Sequence, residues 1–154
     1  EMKPVQVDDY VALQARMASG ALGYIEASRF ATGTQDGMEF IIFGEKGALK
    51  FSMMDPNFLY AYDATEPEAD LGGRRGWTQI ECVQRYPRPS ALPSPKLPIG
   101  WMRFHVHCLF DFLSAVAEDR LGEATIFDGV KTQAVDEAVR LSAAGGDWVG
   151  VVSG

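Results

Sequence analysis

The chain has 154 residues, 47% of them hydrophobic and 23% charged, and 14 Lys plus Arg against 21 Asp plus Glu give a formal net charge of −7. That is enough chain for one globular domain and too little for two ordinary ones. The acidic balance with scattered arginines argues against nucleic acid as a partner, and no apolar run approaches the roughly 20 residues of a membrane helix.

From Tyr10 to Met17 apolar residues alternate, with Val11, Leu13, Ala15 and Met17 opposed to Gln14 and Arg16, the period-2 pattern of a half-buried strand. Ser19-Gly20 turns the chain into a second run, Ala21 to Ala31, and the two are expected to form a β-hairpin. Beyond the loop Thr32 to Gly37, the apolar run Met38 to Phe43 predicts a strand. Gly44 to Gly47 is read as a tight turn, and Ala48 to Met53 as the return strand. Asp55-Pro56-Asn57 breaks the chain. Phe58 to Tyr62 and Trp77 to Val83 predict two more strands on either side of a charged, Gly-rich loop from Ala64 to Gly76.

Five of the eight prolines fall between Tyr86 and Gly100. Each proline lacks the N–H that a sheet ladder needs, so this is a long connection, of a kind often used for function. From Trp101 to Arg120 the period turns helical: Phe104, Cys108, Phe112, Ala115 and Val116 share a face, and Gly122 is expected to end the helix. A second helix is expected to open on Asp128 as N-cap and close at Gly145-Gly146, with a last strand over Trp148 to Val152. Strands followed by helices predict an α+β domain: an open, mostly antiparallel or mixed sheet backed by helices on one face.

Chemistry is sparse. No Gly-x-Gly occurs, so the chain carries neither a dinucleotide fingerprint nor a phosphate loop. His105, His107 and Cys108 lack metal-site spacing and read as packing residues; no metal is expected. His107 and Asp111 read as an ordinary i,i+4 surface pair. Cys82 and Cys108 are too few for a disulfide framework and read as reduced thiols, and the N-terminus has no secretory leader, so the cytoplasm is the expected compartment.

An ordered set of segments resembles one known family. It runs from Val7-Asp8-Asp9-Tyr10 through Gly20 to Gly33 and Phe43 to Phe51. It continues with Ile99-Gly100 ahead of an aromatic helix ending Asp111-Phe112-Leu113, then Phe127-Asp128-Gly129 to Trp148-Val149. Together these resemble the C-terminal domain of the Gfo/Idh/MocA oxidoreductases, which include glucose–fructose oxidoreductase and inositol dehydrogenase. The resemblance implies a sheet in the style of the glyceraldehyde-3-phosphate dehydrogenase C-terminal domain, with residues 1–154 as a single domain. It also implies a homo-oligomer formed through the open sheet face. The strands carrying Tyr24, Phe40, Phe51, Tyr60 and Trp77 hold more apolar surface than two helices can cover.

The resemblance further implies NAD or NADP on an N-terminal Rossmann domain, with none bound by this chain, and a sugar, cyclitol or related polyol as substrate. The family's Glu-Lys-Pro and Asp-x-x-x-His motifs have no counterpart here. Trp101 and Arg103 stand four residues before the two histidines, and Glu1-Met2-Lys3-Pro4 is read as linker in a fragment of a longer protein. No catalytic residue is therefore expected in this chain, and the fragment alone is expected to be inactive. In relatives the loop before the long helix and that helix's first turn approach the substrate, which makes Tyr86, Trp101, Arg103 and His105 the pocket candidates. The competing reading is a non-catalytic dimerisation or ligand-binding module, or a scaffold subunit.

Overall fold

The computed structural model describes residues 7–83 and 99–152. Six strands precede two helices: β1 (Tyr10–Arg16), β2 (Leu22–Ser28), β3 (Glu39–Gly44), β4 (Gly47–Ser52), β5 (Phe58–Asp63), β6 (Trp77–Glu81), α1 (Trp101–Glu118) and α2 (Ile126–Gly145). The class is α+β. Every strand pairing among the described residues is antiparallel, in a hairpin β1-β2 and a four-stranded meander β3-β4-β5-β6. The chain divides into two compact units, one of residues 1–34 with 124–154 and the other of residues 35–123.

In the first unit β1 follows the expected alternation, with Val11, Leu13 and Ala15 half-buried between exposed neighbours. Gly20, at φ 89°, makes the turn into β2 in the left-handed region that glycine tolerates. α2 starts three residues earlier than an Asp128 cap would place it: Thr125 is the N-cap. Asp128, at the third helical position, turns back so that its Oδ2 accepts from the Thr125 N–H at 3.0 Å and the Thr125 hydroxyl at 2.7 Å. Its carboxylate also sits favourably at the positive end of the helix dipole. Gly146, at φ 75°, ends α2 as expected.

No strand forms over Trp148 to Val152. A strand needs a ladder partner, and here the Trp148 ring instead lies under the Arg16 guanidinium, 5.2 Å from the ring centroid. The Asp147 carbonyl accepts from the Ser142 hydroxyl at 2.7 Å, which holds the segment against the end of α2.

In the second unit the register places Ile42, Leu49, Ala61 and Thr78 on one sheet face and Phe43, Ala48, Tyr62 and Trp77 on the other. Tyr62 and Trp77 pack edge to face at 5.9 Å, and Phe40 and Phe51 are tilted rings at 5.6 Å. α1 ends before Gly122. Asp119 takes the left-handed conformation (φ 52°), and its N–H bonds the Ala115 carbonyl. A short polar side chain tolerates that geometry better than most, so the helix needs no glycine.

Among the described residues only Ala115 and Ala138 are buried apolar positions. Of the α1 face expected to be covered, Ala115 is buried and Phe104 half-buried, whereas Cys108, Phe112 and Val116 are exposed. Both units therefore present apolar surface.

Candidate functional site

The start of α1 is positioned by Asn57, a residue of the turn between β4 and β5. The Asn57 Oδ1 accepts from the Ile99 N–H at 2.7 Å, and its backbone carbonyl accepts from the Cys82 N–H at 2.6 Å. Gly100 is the extended N-cap, and its carbonyl accepts from the Arg103 and Phe104 N–H groups at 2.9 and 3.3 Å. The first turn of α1 is thus tied to the sheet through one asparagine side chain.

Trp101 and His105, one turn apart, bring their rings to 6.3 Å at 32°. Both are exposed, so together they form a tilted aromatic shelf. Arg103 does not join them. A spacing of two places it about 160° round the helix from either ring, and it is half-buried there. Tyr86 lies outside the described residues. Of the four pocket candidates, then, the structure gathers two.

His107 acts on Asp111 but is not its main partner. Asp111 accepts from the Glu123 N–H and from Arg120 Nη2, both at 3.1 Å, and Arg120 Nε also bonds Glu118 at 2.8 Å. The Asp111 carboxyl is held below its ordinary range chiefly by the Glu123 N–H, then by Arg120, with His107 a lesser influence. This carboxylate clamps the chain leaving α1 and is not poised to move protons. A carboxyl with a depressed folded pKa stabilises fully above its unfolded value of about 3.9, and that stability is lost as pH falls through the folded value. Asp111→Asn should therefore lower Tm at neutral pH, and the gap from the parent should close in acid. Melting both proteins at neutral pH and at about pH 3 checks this; an equal gap at both would contradict it.

A separate open groove of about 720 Å³ lies on the four-stranded sheet, with Ile42, Leu49 and Ile80 in its lining and Lys46, Asp63 and Arg74 among its charged residues. The Asp63 carboxyl is held below its ordinary range by the Thr65 hydroxyl and then by the Thr65 N–H. Among the described residues no three His, Cys, Asp or Glu side chains converge as a metal would need, and Cys82 and Cys108 are free thiols. No described helix is long and apolar enough to cross a membrane.

The described residues do not fit a dinucleotide pyrophosphate. The α2 start carries the Asp128 carboxylate, which would repel it, and the α1 start is led in by Ile99-Gly100 with no Gly-rich turn from a strand.

The model of the oxidoreductase family's C-terminal alpha/beta domain matches residues 1–151. This chain belongs to the Gfo/Idh/MocA oxidoreductases. Levoglucosan dehydrogenase of Pseudarthrobacter phenanthrenivorans is 34% identical over 149 residues, 96% of this chain and 37% of that protein. The crystal structure of an oxidoreductase domain protein from Kribbella flavida matches at TM-score 0.86 and 33% identity, covering 97% of this chain and 39% of its own. Levoglucosan dehydrogenase in complex with NADH and levoglucosan matches at TM-score 0.85 and 33% identity, over 97% and 40%. The chain spans about two fifths of the length of these Gfo/Idh/MocA relatives.

Sequence reasoning missed Asn57, treating Asp55-Pro56-Asn57 as a chain break. The one available signal was an asparagine in a turn, where its side chain readily bonds backbone.

Proposed function

We propose that this chain is the substrate-side domain of an NAD(P)-dependent dehydrogenase that oxidises a secondary alcohol of a sugar, cyclitol or related polyol. The observation that carries this reading is the match, over nearly the whole chain, to a dehydrogenase whose complex holds NADH and levoglucosan. In the whole enzyme the alcohol carbon gives a hydride to the nicotinamide, and the hydroxyl proton leaves to a base. Both the cofactor, NAD or NADP, and the catalytic base are assigned to an N-terminal Rossmann domain and its junction with this chain. Residues 1–154 form the C-terminal domain of that enzyme and are inactive alone.

The part of this chain is to bind and orient. The Trp101–His105 shelf suits the C–H faces of a sugar ring, and Arg103, on the other side of α1, is not assigned to that shelf. The exposed aromatic surface of the strands supports a homo-oligomer through the sheet face. Phe40 and Ile42, on one face of the four-stranded sheet, stand 47% and 56% exposed, more than a monomer comfortably leaves to water. The free thiols agree with a cytoplasmic enzyme.

The test is a screen of the full-length protein with NAD and NADP against levoglucosan, inositols and aldoses, read as reduced nicotinamide absorbance. Turnover with at least one of these is expected. A full-length protein that reduces neither cofactor with any of them favours the binding or scaffold reading instead.

A further inference from the structure

We infer that Asn57 is a positioning residue for the substrate-facing turn of α1, an inference that rests on the dehydrogenase reading above. Its two backbone-directed bonds have different ends. The carbonyl receives the Cys82 N–H at 2.6 Å, just past β6, and the side-chain Oδ1 receives the Ile99 N–H at 2.7 Å, two residues before Trp101. Cys82, just past β6, and Ile99, just before α1, are thus both tied to one residue. Ile99 leads directly into Trp101 and His105.

The anchor is itself stiff. Pro56 precedes Asn57, the Phe58 N–H bonds the Asp55 carbonyl at 3.3 Å, and Asp55 Oδ2 accepts from the Tyr60 hydroxyl at 3.3 Å. Gln79 Nε2 in turn donates to the Tyr60 oxygen at 3.0 Å, which links the turn to β5 and β6. A half-buried amide oxygen held this way sets where the chain enters α1, and hence where the Trp101 ring stands relative to a bound sugar. The role assigned to Asn57 needs no contact with substrate. Its effect is transmitted through the Ile99 backbone, and small displacements of a binding group are costly because recognition depends on alignment.

The experiment compares the full-length enzyme with Asn57→Ala and Asn57→Asp. Asn57→Ala removes the acceptor, whereas Asn57→Asp keeps an oxygen in the same place. Asn57→Ala should raise KM for the sugar roughly fivefold to tenfold, the value of one lost hydrogen bond, and leave KM for the nicotinamide cofactor unchanged. Asn57→Asp should return the sugar KM to within about twofold of the parent. Amide hydrogen exchange at Ile99 should speed up in Asn57→Ala alone. An active parent whose sugar KM ignores Asn57→Ala, while Tm falls or exchange at Ile99 rises, overturns the inference and leaves Asn57 a purely structural link. A full-length parent that oxidises no sugar or polyol overturns the dehydrogenase reading, and this inference falls with it.

Discussion

Gly47→Ala should be the most destabilising single-methyl substitution in the four-stranded sheet. Gly47 opens β4, a central strand, and faces Gly44 on β3 and Asp63 on β5. A Cβ at this position would overlap the Tyr62 carbonyl oxygen of the neighbouring strand. The obstacle is backbone, so no side chain can rotate away; β4 and β5 must separate, or the Gly47–Asp63 pairing must break. The expected cost is about 3 kcal/mol, or a fall in Tm on the order of 10 °C. Gly44→Ala is the control. Its Cβ would stand 3.4 Å from the Gly47 carbonyl, an ordinary contact, and it should melt close to the parent. Thermal melts of the three proteins decide the matter, and a Gly47→Ala protein as stable as the parent would show that β5 does not approach β4 as described.

The second large effect is on catalysis. In the full-length enzyme Trp101→Ala should lower kcat/KM for the sugar about tenfold, equivalent to roughly 1.4 kcal/mol of lost binding in the transition state. The ring stands at the head of α1, 42% exposed and tilted against His105. A bound sugar would cover it, and truncation removes that contact without touching the cofactor's half of the site. KM for NAD or NADP should hold. If Trp101 only fastens the start of α1, steady-state kinetics will stay at the parent's values while Tm drops, and the shelf is then not part of the pocket.

Local structure was legible where the signal is local. The alternation of Val11, Leu13 and Ala15 places β1 to within a residue, and the helical period finds both helices, because each pattern reports which side chains share a face. Helix ends were less legible. Asp119 stops α1 in a conformation usually given to glycine, and Thr125 takes the cap that Asp128 supports from inside the first turn. In both cases several neighbouring polar residues could serve, and only geometry chooses among them. The family's Gly44-to-Gly47 segment looked like a turn alone, yet Gly47 is required by the carbonyl of a strand that arrives fifteen residues later. Such close approaches leave no mark on a local pattern.

The candidate site shows the same division. Trp101 and His105 are spaced to meet on one helix face, and they do. Arg103 sits between them in sequence but not in space, since two residues carry a side chain more than half-way round a helix. Asn57 reaches Ile99 across a separation of forty-two residues, and nothing in the intervening chain announces the contact. The broader outline, an oxidoreductase C-terminal domain, was readable because the ordered segments from Val7 to Val149 resemble the family as a set.

The most direct test of the account follows a deuterium atom. The full-length protein is given oxidised nicotinamide cofactor and levoglucosan deuterated at its carbinol carbons, and the cofactor is then examined by mass spectrometry. Reduced nicotinamide carrying one deuterium is the predicted result, since the hydride comes from the alcohol carbon. If levoglucosan is not taken, the deuterated form of whichever polyol the screen identifies replaces it. Reduced cofactor without deuterium, or no reduction with any sugar or polyol, would contradict the claim that this domain presents an alcohol for hydride transfer.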